Sequence, residues 1–219
     1  MASFKHDLFN QFARVGKALG NGYRLELLEY LAQGERSVEE LAKVAGLTVG
    51  NTSQHLKQLR QAGLVTPSKR GLKVYYNLTG DDVIGLLDVM REVAQRHITD
   101  VQHLVNTYLT VKDDLEAIPR EELLQRVKDD LVTVLDVRPA EEYAAGHVPG
   151  AINVPMDKLE AYLEGIGTEQ EIVAYCRGPH CVLAYDAVAQ VREKGLKARR
   201  LEDGFPEWKT AGLPVEHQV

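Results

Sequence analysis

"SVEELAKVAGLTVGNTSQHLKQLRQAGLVTPSKRGLKVYYNL", residues 37–78, holds two short helical patterns, a glycine-bearing turn between them and two β-like runs behind. Ser37 stands three residues before Glu40, the spacing of a capping box, so a helix starts at this point. Gly46 ends that pattern and Thr48 opens the next, in which Leu56 and Leu59 supply the anchoring apolar positions. "LVTPSKRGLKVYYNL" reads as a hairpin around the basic tip Ser68-Lys69-Arg70-Gly71. Helix, turn, helix and hairpin together predict a winged helix-turn-helix.

Upstream, "FNQFARVGKALG" and "GYRLELLEYLAQG" carry apolar residues at helical spacing and end at glycine. Downstream, residues 81–109 predict one long helix. Val83, Leu87, Met90, Ala94, His97, Val101, Leu104 and Tyr108 recur in steps of four and three, a narrow coiled-coil-like seam. A head of about 80 residues is too small to bury that whole seam, which points to a second copy of the chain.

"TVKDDLEAIPREE" is polar and contains Pro119, and residues 110–120 are expected to form a linker. Beyond it the texture changes. "LVTVLDV", "GAINVP" and "EIVAYC" read as buried strands, with the amphipathic stretches "MDKLEAYLEGI" and "CVLAYDAVAQVREKG" among them. The expectation is two domains: a mainly α head over 1–109 and, over 121–219, an α/β body with a mostly parallel sheet. Charge divides in the same way. Residues 1–80 hold 11 Lys and Arg against 6 Asp and Glu, whereas 81–219 hold 15 against 26. A basic head on an acidic body suits nucleic-acid contact by the head alone. No apolar run reaches membrane-spanning length and the first residues lack a signal-peptide pattern, so a cytoplasmic protein without a membrane partner is expected.

The second helix of the motif offers Thr48, Asn51, Thr52, Ser53, Gln54, His55 and Lys57 as contacts to phosphates or base edges of double-stranded DNA. Lys69, Arg70 and Lys73 of the hairpin extend that surface along the backbone. Residues 7–105 resemble the ArsR group of dimeric bacterial repressors, most specifically through "SQHLKQLRQAGLV" and the following wing. The resemblance implies operator contacts at Thr52, Ser53, Gln54 and His55, with Arg70 in the wing. It also implies a homodimer formed through the first helix and residues 81–109. Many of these repressors sense metals, but "SVEELAKVAG" contains no cysteine, and Asp88, His97 and His103 do not reproduce the ligand spacing of the others. No metal and no cofactor is expected.

"YCRGPHC", residues 175–181, contains both cysteines of the chain. A thiol attacks as thiolate and needs local positive potential. The stretch predicts a strand, a tight loop and a helix starting near Cys181 or Val182, so loop amides and the helix N-terminus would supply that potential to Cys176. Gly178 permits the tight loop, and Arg177 and His180 add charge. Cys181 reads either as a partner thiol or as packing in the first helical turn.

Residues 118–217 resemble a single-domain rhodanese. "LDVRPAEEYAAGHVPGAINVP" matches that family's opening motif and "LEDGFPEWKTAGLPV" its closing one. Asp136, Arg138 and His147 are expected to brace the sheet and its loops. The resemblance implies that Cys176 accepts sulfane sulfur from thiosulfate, persulfide or polysulfide and passes it to a thiol. Related phosphatases carry Arg six positions after the nucleophile, where this chain has Val182. Many rhodaneses carry Arg five positions after it, where this chain has Cys181. Arg177 would then have to substitute, and Cys181 stands where it could resolve a Cys176 persulfide.

The functional expectation is a repressor whose body receives reactive sulfur at Cys176 and alters operator binding. Two alternatives stay open: a sulfurtransferase whose head answers another signal, and a catalytically silent docking module.

Overall fold

A computed structural model describes residues 3–113, 117–167 and 171–218. Residues 114–116 of the expected linker, and the chain's extreme ends in the expected domains, lie outside the described residues. Two compact units form, Met1–Leu87 and Asp88–Val219.

The head contains α1 (Phe4–Leu19), α2 (Gly22–Ala32), β1 (Arg36–Ser37), α3 (Val38–Val44), α4 (Val49–Gln61), β2 (Val65–Arg70) and β3 (Lys73–Leu78). The capping box forms: Glu40 N–H donates to Ser37 Oγ (3.2 Å) and Ser37 N–H donates to Glu40 Oε2 (2.8 Å). Gly46 turns the chain at φ +63°, a conformation that favours glycine. Thr48 then caps α4, accepting from Asn51 N–H at 3.2 Å. Leu27, Leu28, Leu41, Leu56 and Leu59 are wholly enclosed and form the centre of the core.

Buried Arg24 fastens α4 to the other helices. It donates to the carbonyls of Lys17 and Ala18, which end α1 without intrahelical partners, and to Gln58 Oε1 of α4 at 2.7 Å. β2 and β3 pair in antiparallel register, and the unanticipated β1 joins the far side of β3. The last hairpin pair is Arg70 with Lys73, so the tip is Gly71-Leu72 rather than residues 68–71.

Residues 81–109 are not one helix. α5 (Asp82–His97) ends where Ile98 turns extended, α6 (Thr99–Val105) follows, and a π-helical turn (Asn106–Thr110) closes the segment. Ile98 and Thr99 are adjacent β-branched residues, whose restricted χ1 angles weaken the helix at that point. The expected seam divides accordingly. Val83 and Leu87 are buried in the head, Met90, Ala94 and Val101 are half-buried, and His97, Leu104 and Tyr108 are exposed. α1 carries its own exposed apolar stripe, Phe4, Leu8, Phe9 and Phe12.

The body adds α7 (Arg120–Lys128), β4 (Val132–Asp136), α8 (Ala140–Ala145), β5 (Ile152–Asn153), α9 (Met156–Glu164), β6 (Glu171–Tyr175), α10 (Val182–Glu193), β7 (Ala198–Arg200) and α11 (Phe205–Thr210). Its four-stranded sheet is parallel throughout, in the order β5-β4-β6-β7. Alternate residues of β6 face opposite cores. Ile172, Ala174 and, just past the strand, Cys176 join Leu159 of α9 and Val188 of α10. Val173 and Tyr175 join Leu123 of α7 and Trp208 of α11. Within the expected linker, Asp113 is buried against Arg192 (2.8 Å) and Ile118 bridges to Leu201. No helix among the described residues is long and apolar enough to cross a membrane.

Candidate functional site

On the head, α4 turns one face to the core and the other to solvent. Asn51, Ser53, Gln54 and Lys57 are exposed, as are Thr48 at the cap and Lys69, Arg70 and Lys73 on the wing. Thr52 is a correction to the expected contact set. It lies in the buried stripe with Leu56 and Leu59, is fully enclosed, and donates its hydroxyl to Thr48 O at 3.0 Å. His55 is half-buried, its ring 5.9 Å from that of Tyr23 and its Nδ1 enclosed without a hydrogen-bond partner. Arg70 stacks over Tyr75 and pairs with Glu35, which also accepts from Ser68 and Asn77. Glu35 thus ties the two strands of the wing together.

The two-cysteine loop lies at the C-terminal ends of the strands. β4 connects outward to β5 while β6 connects the opposite way to β7, so the chain reverses direction between β4 and β6. Open parallel sheets place their ligand sites at such a point. Cys176 follows β6 directly and is almost fully enclosed. Cys181 caps α10, and the two cysteines form a disulfide across the loop, with Cα atoms 6.1 Å apart. The two sulfurs that the sequence only brought within six residues are joined.

The loop is braced from several directions. Cys181 N–H donates to Gly178 O (3.1 Å), and Tyr185 in the first turns of α10 donates its hydroxyl to Pro179 O (3.2 Å). Phe205 N–H donates to Cys176 O at 3.0 Å. Gly204 packs so tightly beneath the loop that a Cβ there would overlap the backbone of Arg177 and Gly178.

Arg177 does not take the place of the missing oxyanion-binding arginine. Its guanidinium is held by both carboxylate oxygens of buried Glu142. Burial lowers the pKa of His180, with Arg91 and Arg200 adding repulsion, so this imidazole favours its neutral form. Asp136, Arg138 and His147 brace, as expected. Arg138 and Asp136 form a fully buried pair, and Asp136 also accepts from Tyr175 Oη at 2.6 Å. His147 stacks on Tyr143. Among the described residues, no group of three His, Cys, Asp or Glu side chains is placed to hold a metal ion.

Family models match both parts of the chain: "Bacterial regulatory protein, arsR family" over residues 21–66 and "Rhodanese-like domain" over residues 119–211. The HTH-type transcriptional regulator Rv0324 of Mycobacterium tuberculosis is 46% identical over 97% of this chain and 93% of its own length. The chain is an ArsR-family transcriptional regulator with a rhodanese domain.

A sulfurtransferase of Allochromatium vinosum is 31% identical to the regulator over 45% of the chain and 92% of its own length. The homodimeric winged helix-turn-helix domain of Mb0332 from Mycobacterium bovis, known from its solution NMR structure, is 41% identical and covers 46% of the regulator, with a TM-score of 0.42. Some residues around the two-cysteine loop escaped sequence reasoning. Glu207 was legible in part, standing three residues after Gly204 at a helix start, where its carboxylate accepts from the Gly204 N–H. Arg91 and Gln95 of α5, which reach the loop and its support, carried no local mark.

Proposed function

We propose that the regulator binds operator DNA as a homodimer and that reactive sulfur at Cys176 changes that binding. Asn51, Ser53, Gln54 and Lys57 read or grip the operator from α4, with Thr48 at its start and His55 at the margin. Lys69, Arg70 and Lys73 hold flanking phosphates from the wing. Residues 1–109 serve DNA binding and dimerisation, 110–120 join them to the body, and 121–219 receive sulfur. The unpartnered aromatic stripe of α1 supports a dimer, because four large apolar side chains in water need a cover.

The observation that carries the sulfur reading is the bond between Cys176 and Cys181 at the end of the central strand. In the open form, Cys176 thiolate attacks the outer sulfur of an organic persulfide RSSH, giving Cys176–SSH and releasing RS⁻. Cys181 thiolate then attacks the inner sulfur, forming the Cys176–Cys181 disulfide and releasing HS⁻. Two cysteine thiolates are oxidised, and one sulfane sulfur leaves as sulfide. Gly178 and the loop amides shape the pocket for the attacking sulfur, while Arg177 and His180 position the loop.

The deciding experiment is an operator-binding titration with and without a persulfide donor, on the wild type and Cys176→Ser. The expected result is a sulfur-dependent affinity in the wild type alone. An equal response in Cys176→Ser overturns the reading.

A further inference from the structure

Within the compact unit Asp88–Val219, the second half of α5 reaches the sulfur site by two routes. His180 Nε2 lies 3.2 Å from Gln95 Oε1, so the imidazole N–H donates to the amide. His180 is the residue next to Cys181. The second route runs beneath the loop. Arg91 Nη1 donates to Glu207 Oε1 at 2.9 Å, and Glu207 Oε2 accepts from Gly204 N–H at 3.0 Å. Gly204 is the residue in closest contact with the backbone of Arg177 and Gly178. Arg91 and Gln95 are one helical turn apart and share a face of α5.

We propose that this face of α5 reads the sulfur state of the loop, with Gln95 and Arg91 as its positioning residues; the inference rests on the sulfur-responsive reading above. While Cys176 and Cys181 are bonded, the six-residue loop is closed and His180 is held against Gln95. Opening the disulfide, or carrying an extra sulfur on Cys176, removes the covalent tether on Cys181. His180 then leaves Gln95, and the last turns of α5 lose an anchor just before the helix ends at Ile98.

Those turns are the two-state element, ordered in the closed form and frayed in the open one. α5 also supplies Val83, Ile84 and Leu87 to the buried apolar residues of its first turns. A change in its order therefore travels along one helix toward the DNA-binding half of the chain.

Two measurements on the full-length protein test this. In hydrogen exchange, reducing the disulfide should speed exchange of residues 91–98 in the wild type. Gln95→Ala should show the fast exchange already in the disulfide form, and Cys176→Ser should show it with or without reductant. In operator binding, Gln95→Ala should take up sulfur on Cys176 as the wild type does, by mass spectrometry. Its affinity ratio between closed and reduced forms should fall toward one, from roughly fivefold or more in the wild type. Arg91→Met should act in the same direction, and if it fails to fold, the exposed Gln95 carries the test.

Unchanged exchange at residues 91–98 on reduction of the wild type overturns the route through α5. So does a full operator response in Gln95→Ala. Absence of any operator response in the wild type instead removes the sulfur reading itself, and the route with it.

Discussion

Arg177 and Glu142, 35 residues apart in sequence, form a two-pronged ion pair beside the two-cysteine loop, with Nη2–Oε1 at 2.7 Å and Nε–Oε2 at 2.9 Å. Such fork-to-fork pairing holds the guanidinium in one orientation as well as satisfying a buried carboxylate. Thiosulfate is a dianion, and a committed guanidinium does not neutralise its sulfonate. Reduced regulator should therefore load Cys176 from an organic persulfide roughly a hundredfold faster than from thiosulfate, the usual scale for a missing oxyanion donor. Mass spectrometry over time with each donor measures this. Equal rates would show that some other group receives the sulfonate.

Base-edge contacts carry sequence information and phosphate contacts do not. Asn51→Ala with Gln54→Ala should abolish discrimination between operator and random DNA. Lys69→Ala should weaken binding to both and reduce the slope of log affinity against log salt by about 0.9. Thr52→Val, by contrast, should alter stability more than sequence preference, because its hydroxyl is turned to Thr48 O inside the head. Gel-shift titrations at several salt concentrations separate the three outcomes.

Phe9 and Phe12 of α1 are more than half exposed. Phe9→Glu with Phe12→Glu removes the contact between these two half-exposed rings, 5.8 Å apart, and places charge where a partner's apolar surface would close. The variant should sediment as a monomer, melt near the wild-type monomer temperature and lose most operator affinity. A wild type that is itself monomeric at micromolar concentration would refute the dimer.

Gly204→Ala adds a methyl group where the backbone of Arg177 and Gly178 already lies. Neither side is a flexible side chain, so the loop itself has to shift. Overpacking of this kind should cost about 3 kcal/mol in urea unfolding. It should also make Cys181 react faster with an alkylating reagent in the reduced protein, since the loop is displaced from its support.

His180 has a folded-state pKa below its ordinary value of 6.5, because of burial and then the Arg91 and Arg200 charges. For a histidine of this kind the unfolded chain binds the proton more readily. Its contribution to stability is present above pH 6.5 and is lost as pH falls through the window below. Thermal unfolding between pH 5 and 7.5 should fall less steeply toward acid in His180→Gln than in the wild type. Parallel curves would show that His180 does not titrate in that range.

Both architectures were legible in the sequence, and the reasons are local. A capping box, an N-cap and a positive-φ glycine act over three to five residues, so Ser37–Glu40, Thr48 and Gly46 place α3 and α4 without reference to the rest of the chain. Continuous apolar, β-branched runs likewise marked β4 and β6, and an amphipathic stretch marked α10, so the strand–loop–helix around Cys176 followed from them. β1 (Arg-Ser) and β7 (Ala-Arg-Arg) escaped notice because such short, polar runs carry no apolar mark; only pairing with a neighbouring strand makes them strands.

What tertiary structure alone decided is which groups meet across long sequence separations. The sequence placed Cys176 and Cys181 five residues apart, but the closed loop between β6 and α10 joined them. Glu142 comes to Arg177, and Gln95 comes to His180 across 85 residues. Thr52 stands four and seven residues before Leu56 and Leu59, so helical period already put it on the buried face, whereas the break of the seam at Ile98 is a departure from that period. Side-chain pairing and burial depend on the whole packed chain, whereas caps, turns and periods depend on a few neighbouring residues.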